Sequence, residues 1–443
     1  MTIFALASAS GRAAIAVMRL SGPATAGCLE ALTGRPLPAP RTATLCRLSD
    51  PTTGIELDDG LMLWFPAPAS YTGEDCAELH LHGGRAVVTA VQDCLGRLAG
   101  LRPAEPGEFS RRAVLNGKMD LTRAEAIADL VDAATERQRR QALGQLDGAL
   151  AELYEGWSAR LTGLLARAEA EIDFPDEDLP GHVAAGRDRD IAALTEEMRR
   201  HLDDGRRAER LRGGLCVAIV GPPNVGKSSL LNRLARRDAA IVSEEAGTTR
   251  DVVEVVMDVA GFEVVLADTA GLREDAGRVE SEGIRRAKEL AARADVKLVV
   301  VDAAGLARPD PGLVAVIDET TLAVANKADL APVPRETTLA GQPVLAISCL
   351  TGAGIDRLVA ALEARLRALW PNVDAAAPGP TRERHRSGVV TALAALERAA
   401  QSGLPELAGE DLRLASRALG RITGRVDVED LLDIVFREFC IGK

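Results

Sequence analysis

At 443 residues the chain is too long for a single hydrophobic core, and its length predicts two to four domains. A hydrophobic fraction of 47% and a charged fraction of 27% are typical of a folded globular protein, which excludes disorder throughout. The chain carries 53 basic and 65 acidic side chains, so its net charge is -12. This balance excludes the overall electrostatic footprint of a nucleic-acid binder, and any contact with RNA must be local.

The cysteines and the hydropathy pattern bear on the cellular compartment. Seven Cys are scattered along the chain without a Cys-x-x-Cys pair, which is typical of reduced thiols in a cytosol. The sequence has neither a membrane-spanning apolar run nor a segment that resembles a secretion signal. We therefore expect a cytoplasmic protein that does not enter a membrane.

Lysine is scarce in this chain. Six of the 53 basic residues are Lys and the rest are Arg. The lysines are Lys118, Lys227, Lys288, Lys297, Lys327 and Lys443. Because a compact ammonium and a planar guanidinium differ in shape and hydration, a site that needs Lys does not readily accept Arg. The lysines are therefore candidate binding residues.

The first half of the chain divides into two segments. Residues 1–118 mix short apolar stretches with Gly and Pro, which predicts an α+β domain with strands at Ile15–Leu20, Leu61–Phe65 and Glu78–His82. Residues 119–212 carry Ala, Leu, Glu and Arg at helical spacing, broken once by prolines at 173–181. This second segment predicts the first part of a helical domain.

In residues 213–375, apolar runs alternate with helical segments, which predicts a parallel, doubly wound α/β sheet. The predicted strands are Cys216–Val220, Val264–Ala267, Lys297–Val301, Leu322–Ala325 and Val344–Ile347. Helical patterning returns in residues 376–443 and forms the second part of the helical domain. The sequence thus predicts a multidomain protein in which an α/β domain is inserted into a helical domain.

A phosphate-binding motif follows the first of these strands. Gly221 to Ser228 has the pattern Gly-x-x-x-x-Gly-Lys-Ser, and a helical segment comes directly after it. In this context the backbone N–H groups cradle phosphates, Lys227 reaches the β and γ oxygens, and the Ser228 hydroxyl binds Mg²⁺. The segment predicts a nucleoside-triphosphate site.

Three later motifs specify the nucleotide. Gly247-Thr-Thr249 offers hydroxyls for the metal and the γ-phosphate, and Asp268-Thr-Ala-Gly271 follows a strand with a carboxylate and a γ-phosphate-sensing Gly. Asn326-Lys-Ala-Asp329 also follows a strand, and its carboxylate suits the two N–H donors of guanine, a pattern that adenine lacks. Ser348 is a weaker element at the base. The predicted nucleotide is GTP rather than ATP.

The predicted nucleotide-contacting residues are Asn224, Val225, Gly226, Lys227, Ser228, Ser229, Ser243, Glu244, Glu245, Ala246, Gly247, Thr248, Thr249, Asp268, Thr269, Ala270, Gly271, Asn326, Lys327, Ala328, Asp329 and Ser348. Ser228 and Thr249 are the predicted Mg²⁺ ligands. Ras-type proteins carry a water-orienting Gln after the Asp-x-x-Gly motif, but here that residue is Leu272. Another group must therefore position water or neutralise charge.

Several separate motifs together resemble the MnmE (TrmE) family of bacterial tRNA-modification GTPases over essentially the whole chain. They include Arg19-Leu-Ser-Gly22, Ser70-Tyr-Thr-Gly-Glu-Asp75, Glu78-Leu-His-Leu-His-Gly-Gly84, and Leu115-Asn-Gly-Lys118. The terminal Phe439-Cys-Ile-Gly-Lys443 is the most specific of them. The resemblance implies an N-terminal folate-binding and dimerisation domain at 1–118, a G domain at 213–375, and a homodimer.

The resemblance also implies ligands. By position, Arg19, Glu78, Lys118 and Lys443 would contact a 5-formyl-tetrahydrofolate-type donor; cations suit its glutamate carboxylates and an acid suits the pterin N–H edge. Family members are potassium-dependent GTPases activated when their G domains dimerise. The K⁺ positions here are Asn224, Thr248 and the backbone near Ser243 and Glu245.

By alignment of the motif at Asp268, Glu280 takes the role of the catalytic, water-orienting carboxylate, with Glu282 two residues away as the alternative. Without the resemblance, each of these two acids is also interpreted as an ordinary charged residue of a solvated loop. Cys440 is associated with the family's chemistry, and its other interpretation is a small buried apolar residue.

The family acts with a flavin-dependent partner, MnmG, in a heterotetramer that modifies C5 of the wobble uridine in certain tRNAs. The resemblance implies tRNA and this FAD-dependent subunit as partners. The alternative function is a GTP-switched ribosome or ribonucleoprotein assembly factor, for which we would expect a basic RNA-binding appendage. None is visible in the sequence.

The chain departs from the family pattern after its first strand. Where the family has a glycine-rich run, this sequence reads Ser8-Ala-Ser-Gly-Arg12-Ala-Ala14. Because Ala disfavours positive φ and adds a methyl group, we expect a local change in the dimer contact or the folate pocket.

Overall fold

The computed structural model describes residues 1–173, 182–237, 240–241, 254–268, 291–370, 378–402, 404–426, 429–437 and 439–442. The chain forms two compact units. Unit 1 comprises Met1–Val131, Gly144–Arg199 and Arg384–Lys443, and unit 2 comprises Asp132–Leu143 and Arg200–Glu383.

Unit 1 contains a six-stranded sheet in the order β3-β4-β5-β2-β1-β6. The strands are β1 (Thr2–Leu6), β2 (Ile15–Ser21), β3 (Thr44–Ser49), β4 (Glu56–Phe65), β5 (Cys76–His82) and β6 (Leu101–Pro103). Neighbouring strands are antiparallel except for the parallel pair of β1 and β6. The three predicted strands are present, and β1, β3 and β6 were not predicted.

One face of this sheet forms the core of the N-terminal region. Side chains alternate along β2, so that Met18 and Leu20 are buried on one face while Arg19 lies on the other. The helices Thr25–Thr33 and Arg85–Arg97 pack against the buried face. The alternation leaves Arg19 on the face that those two helices do not cover.

Helices make up the rest of unit 1. The other described helices that lie mainly in unit 1 are Glu108–Leu115, Leu121–Asp132, Ala149–Asp173, His182–Leu202, Glu383–Gln401, Pro405–Thr423 and Glu429–Phe436, whereas Glu136–Leu146 lies mainly in unit 2. Ala149–Asp173 and Pro405–Thr423 pack along each other. Regular apolar spacing, as at Ala408, Leu412, Ala415 and Leu419, gives such helices one buried side.

Unit 2 contains an eight-stranded sheet in the order β13-β14-β12-β11-β7-β10-β9-β8. The strands are β7 (Leu215–Val220), β8 (Ala240–Ile241), β9 (Glu254–Val259), β10 (Phe262–Asp268), β11 (Val296–Asp302), β12 (Thr321–Asn326), β13 (Thr338–Leu339) and β14 (Gln342–Ala346). Its described helices include Arg207–Gly213, Lys227–Ala235, Pro311–Val314 and Ile355–Leu369, with a 3₁₀ turn at Ala303–Gly305.

The predicted parallel sheet forms the centre of unit 2. β14, β12, β11, β7 and β10 are parallel, while β8, β9 and β13 add antiparallel edges that were not predicted. The carboxyl ends of the parallel strands, including Val220, Asp302 and Asn326, meet at one edge. Ligands of open α/β sheets bind at this edge.

Among the described residues, no helix combines the length and the apolar character needed to span a membrane.

A buried ion cluster ties together distant parts of unit 1. The carboxylate of Glu125 accepts hydrogen bonds from Arg384 Nε and Nη2, both at 2.6 Å, and lies 2.8 Å from His385 Nε2. Glu125 and His385 are fully buried. Burial alone would raise the pKa of Glu125, but the Arg384 guanidinium and His385 outweigh it and hold that pKa well below its ordinary value.

We predict that Glu125→Gln lowers the stability of unit 1 by about 3–5 kcal/mol at neutral pH, because it removes the charged partner of the largely buried Arg384 guanidinium and the carboxylate beside the buried His385. Since the folded-state pKa of Glu125 is lowered, its stabilisation is present above the ordinary carboxylate pKa and is lost as the pH falls through the lowered value. Urea unfolding followed by helical circular dichroism from pH 7 downwards measures both effects.

Glu169→Gln is the matched control, because Glu169 pairs with Arg413 on the exposed surface of the same unit. An exposed pair is worth less than about 1 kcal/mol. Equal losses from the two variants would show that the buried cluster does not stabilise the unit.

Candidate functional site

The loop after β7 has the backbone geometry of a phosphate cradle. It leads into the helix Lys227–Ala235, whose Leu230, Leu231 and Leu234 are buried. Gly226 has a φ of 97°, and a Cβ atom there would lie 2.3 Å from Asn326 Nδ2. A Cβ atom on Gly221 would lie 2.2 Å from the Val300 carbonyl oxygen. Only glycine fits at these two positions, because a side chain would collide with Asn326 or with the Val300 carbonyl oxygen. The N-terminus of the helix that follows is suited to bind an anion.

Lys227 lies within this loop. Its ammonium donates hydrogen bonds to the carbonyl oxygens of Gly221 and Pro222, each at 2.9 Å, and only 7% of the residue is exposed. Ser228 and Ser229 follow on the first helical turn and are exposed. A buried ammonium and an accessible hydroxyl at a helix N-terminus suit a phosphate and its Mg²⁺ ion.

Asn326 connects this loop to the opposite side of the site. Its Nδ2 donates to the Val225 carbonyl oxygen at 2.8 Å, and its Oδ1 accepts from the backbone N–H of Cys349 at 3.0 Å. The residue is 2% exposed. Ser348, also buried, accepts through its Oγ from the N–H of Thr351 at 3.1 Å. The two predicted base-side segments and the phosphate loop therefore meet.

The two charged residues after Asn326 differ in their contacts. Lys327 has a φ of 65°, and its Nζ lies 2.8 Å from Asp302 Oδ2. Asp329 is exposed, and within the described parts of the chain its carboxylate accepts no hydrogen bond. A free carboxylate at this position is suited to accept the N–H donors of a guanine edge.

Asp302 is a residue that sequence analysis missed. The Lys327 ammonium, through its hydrogen bond, holds the pKa of Asp302 below its ordinary value. The available signal was an acid directly after the apolar run Val296–Val301, at the carboxyl end of a parallel strand.

Many predicted nucleotide contacts lie outside the described residues. They are Ser243, Glu244, Glu245, Ala246, Gly247, Thr248, Thr249, Thr269, Ala270 and Gly271, together with Glu280 and its alternative Glu282. Asp268 is described as the last residue of β10, in register with Ile219 of β7. Of the predicted K⁺ positions, Asn224 is described; it has a φ of 62° and is exposed.

A second polar cluster lies on the face of the unit 1 sheet opposite the helices Thr25–Thr33 and Arg85–Arg97, beside the buried Ile3, Ala5 and Phe109. Arg19 and Glu78 face each other across β2 and β5, and Arg19 Nε and Nη2 donate to Glu78 Oε1 at 3.1 and 2.8 Å. The guanidinium lies over the rings of Tyr71 and Phe109, at 5.4 and 5.8 Å from their centres. The side chain of Arg19 is 21% exposed and that of Glu78 is 24% exposed.

Lys118 contacts the loop that carries Tyr71, and the end of the described chain contacts Arg19. Lys118 Nζ donates to the Pro68 carbonyl oxygen at 3.0 Å, in the loop that also carries Tyr71. Arg19 Nη1 lies 3.4 Å from the Gly442 carbonyl oxygen. Lys443 lies outside the described residues. Two cations and a carboxylate are residue types that suit a folate-type ligand with carboxylates and a pterin edge.

Cys440 is exposed, and its carbonyl oxygen accepts from the N–H of Gly107 at 3.3 Å. The interpretation of Cys440 as a buried apolar residue is therefore wrong. The reason is that the chain before it is anchored by its aromatic neighbour Phe439, which takes the buried position.

In the Ala-rich run after β1, residues 8–14, no alanine has a positive φ. Gly11 is its one residue with positive φ, and the run from Ala9 to Ala14 is exposed. Ala13 and Ala14 exchange backbone hydrogen bonds with Gly83 at 3.2 Å. The added methyl groups therefore cause no backbone strain within this chain.

Comparison with known families assigns most of the chain. The family described as MnmE helical domain matches residues 121–440, and the family described as GTP-binding protein TrmE N-terminus matches residues 2–118.

Similar proteins match along the whole length. A protein of Parvibaculum lavamentivorans, named tRNA modification GTPase MnmE, is 58% identical and is covered over 100% of both chains. The human mitochondrial protein named 5-taurinomethyluridine-tRNA synthase subunit GTPB3 is 49% identical, over 100% of this chain and 93% of its own. Among solved structures, Era in complex with MgGDPNP and a 16S ribosomal RNA segment is 30% identical over 34% of this chain and 56% of its own, with a TM-score of 0.27.

We predict that Lys227→Arg weakens triphosphate binding by more than about tenfold although it keeps the charge, because a guanidinium fork does not fit between the two loop carbonyls. Isothermal titration calorimetry with the nucleotide measures the loss. Lys297→Arg is the control. Lys297 pairs with Asp318 and lies near the start of β11, at the end of that strand opposite the nucleotide edge. Tight binding by Lys227→Arg would contradict the role of the ammonium.

Proposed function

Because the chain belongs to the MnmE family of tRNA modification GTPases, we propose that it couples potassium-dependent GTP hydrolysis to modification of the wobble uridine in certain tRNAs. With the flavin-dependent subunit MnmG, it would install an aminomethyl or carboxymethylaminomethyl group at C5 of that uridine. A tetrahydrofolate-type donor would supply the one-carbon unit.

The observation that carries the GTP assignment is the convergence of the Lys227 loop, the buried Asn326 and the free Asp329 carboxylate at one edge of the sheet. The loop and helix N-terminus suit the phosphates, and the carboxylate suits guanine. Ser228 would hold Mg²⁺, and the ion would supply charge neutralisation at the phosphates.

The catalytic part of the proposal concerns residues beyond the described chain. Leu272 stands where a water-orienting Gln would be, and the family resemblance assigns the water-orienting carboxylate to Glu280, with Glu282 as the alternative. Asn224 and the segment from Ser243 to Thr248 would hold K⁺ when two G domains meet, and the ion would supply the positive charge that an arginine finger supplies elsewhere.

The folate part of the proposal concerns unit 1. Arg19 and Lys118, with Lys443, bind the carboxylates of the donor, and Glu78 accepts from the pterin edge. Support comes from the partly exposed Arg19–Glu78 pair and from the match of residues 2–118 to the TrmE N-terminal family. This domain also forms the homodimer.

A partner subunit is supported by the human relative, whose name describes it as a subunit of a tRNA synthase. The chain itself has a net charge of -12, so a partner that completes the tRNA surface is physically reasonable. The alternative of a ribosome or ribonucleoprotein assembly factor receives no comparable support, because both curated relatives above are named for tRNA modification.

We predict that a bacterial strain lacking its own MnmE protein regains C5-substituted wobble uridine in bulk tRNA when this chain is expressed. Mass spectrometry of digested tRNA nucleosides measures the modification. Lys227→Arg expressed at the same level is the control. Unrestored nucleosides beside a GTP-hydrolysing, correctly folded protein would reject the tRNA assignment.

We further predict GTP turnover at least about tenfold faster in K⁺ than in Na⁺ at equal ionic strength, a modest part of what a cation supplies in the arginine-finger position. Phosphate release under saturating GTP measures it. Glu280→Ala should bind GTP and fail to hydrolyse it in either salt. Equal rates of the unaltered protein in both salts would remove K⁺ from the mechanism.

A further inference from the structure

We propose that Asp302 is a positioning residue for guanine recognition, which holds the Lys327 ammonium and thereby keeps the Asp329 carboxylate free for the base. Asp302 ends β11 and lies in register with Asn326, the last residue of β12. The inference rests on the proposed guanine site and adds a residue that its motifs do not contain.

Both oxygens of the Asp302 carboxylate are engaged, so its orientation is fixed. Oδ1 accepts from the backbone N–H of Ala304 at 3.0 Å and caps the 3₁₀ turn Ala303–Gly305. Oδ2 accepts from Lys327 Nζ at 2.8 Å. The turn therefore holds the carboxylate, and the carboxylate in turn holds the lysine.

Lys327 needs such a support. Its side chain is 36% exposed, and an exposed Lys otherwise samples many rotamers that nucleotide binding would have to restrict. The lowered pKa of Asp302 is consistent with a persistent charge pair. A lysine fixed before the nucleotide arrives reduces the ordering cost of binding.

The Asp302–Lys327 pair also gives the carboxylates of Asp302 and Asp329 different roles. Asp302 is neutralised by Lys327, whereas Asp329, two residues beyond that lysine, accepts no hydrogen bond within the described residues. Asp329 is the acid nearest to Lys327 along the chain, so without Asp302 we expect the released ammonium to turn to it. Pairing between them would occupy the acceptor that guanine requires, so Asp302 protects base selectivity as well as affinity.

A second Lys–Asp pair on the same strands provides a matched control. Lys297 near the start of β11 pairs with Asp318, which precedes β12. This pair has the same chemistry and joins the same two strands, but it lies at the end opposite the nucleotide edge. A purely structural strand-end role predicts equal behaviour of the two pairs.

The test measures dissociation constants of the full-length protein for GDP, GTP and ITP, which lacks the guanine 2-amino group. Asp302→Asn keeps an acceptor for the Ala304 N–H and removes the charge. We expect about three- to tenfold weaker binding of GDP and GTP alike, a smaller preference for GTP over ITP, and an unchanged kcat at saturating GTP. Asp318→Asn should bind all three nucleotides within about twofold of the unaltered protein.

A double-mutant cycle identifies the route of the effect. Lys327→Met removes the ammonium, and in that background Asp302→Asn should cause no further loss. An undiminished loss there would show that Asp302 acts without Lys327 and would overturn the proposal, as would unchanged affinity and selectivity of the single variant. Failure of the unaltered protein to prefer GTP over ATP would instead reject the proposed guanine site itself.

Discussion

The arrangement of the nucleotide edge depends on the buried side-chain amide of Asn326. Its two hydrogen bonds, to the Val225 carbonyl oxygen and from the Cys349 N–H, join the phosphate loop to the strand end and to the loop after β14. The absence of a side chain on Gly226 leaves room for this amide. A buried polar group that is fully satisfied fixes one arrangement, because any displacement would leave an unpaired donor and acceptor. One side chain therefore sets the distance between the phosphate and base subsites.

In the candidate sites of both units, protein groups hold the cationic side chains in place. In unit 2, Asp302 fixes Lys327 and the loop carbonyls fix Lys227. In unit 1, Glu78 and two aromatic rings fix Arg19. In each case a cation with several rotatable bonds is ordered by protein groups alone. The entropy of ordering is then a cost of folding rather than of binding.

How far the sequence predicts this structure depends on how local each feature is. The phosphate loop and the Asn326–Asp329 segment are short motifs next to apolar strands, so their meeting at one sheet edge followed from the alternation of strands and helices. Asp302 was missed because its pairing with Lys327 arises from the register of two strands, and the Glu125 cluster was missed because its partners are about 260 residues apart. β1 was missed because its four consecutive apolar residues after Thr2 show no clear alternation and therefore carry little signal.

The distribution of thiols gives the protein an intrinsic site for chemical labelling. Cys28, Cys46, Cys76 and Cys94 are buried, and Cys216 and Cys349 are partly covered, whereas Cys440 is exposed. Burial raises the pKa of Cys349 to about 11, which keeps this thiol beside the base subsite protonated and unreactive near neutral pH. A maleimide probe would therefore attach first to Cys440, two residues from the carbonyl that contacts Arg19. The fluorescence of a probe at Cys440 could then report ligand binding near Arg19 without engineered cysteines.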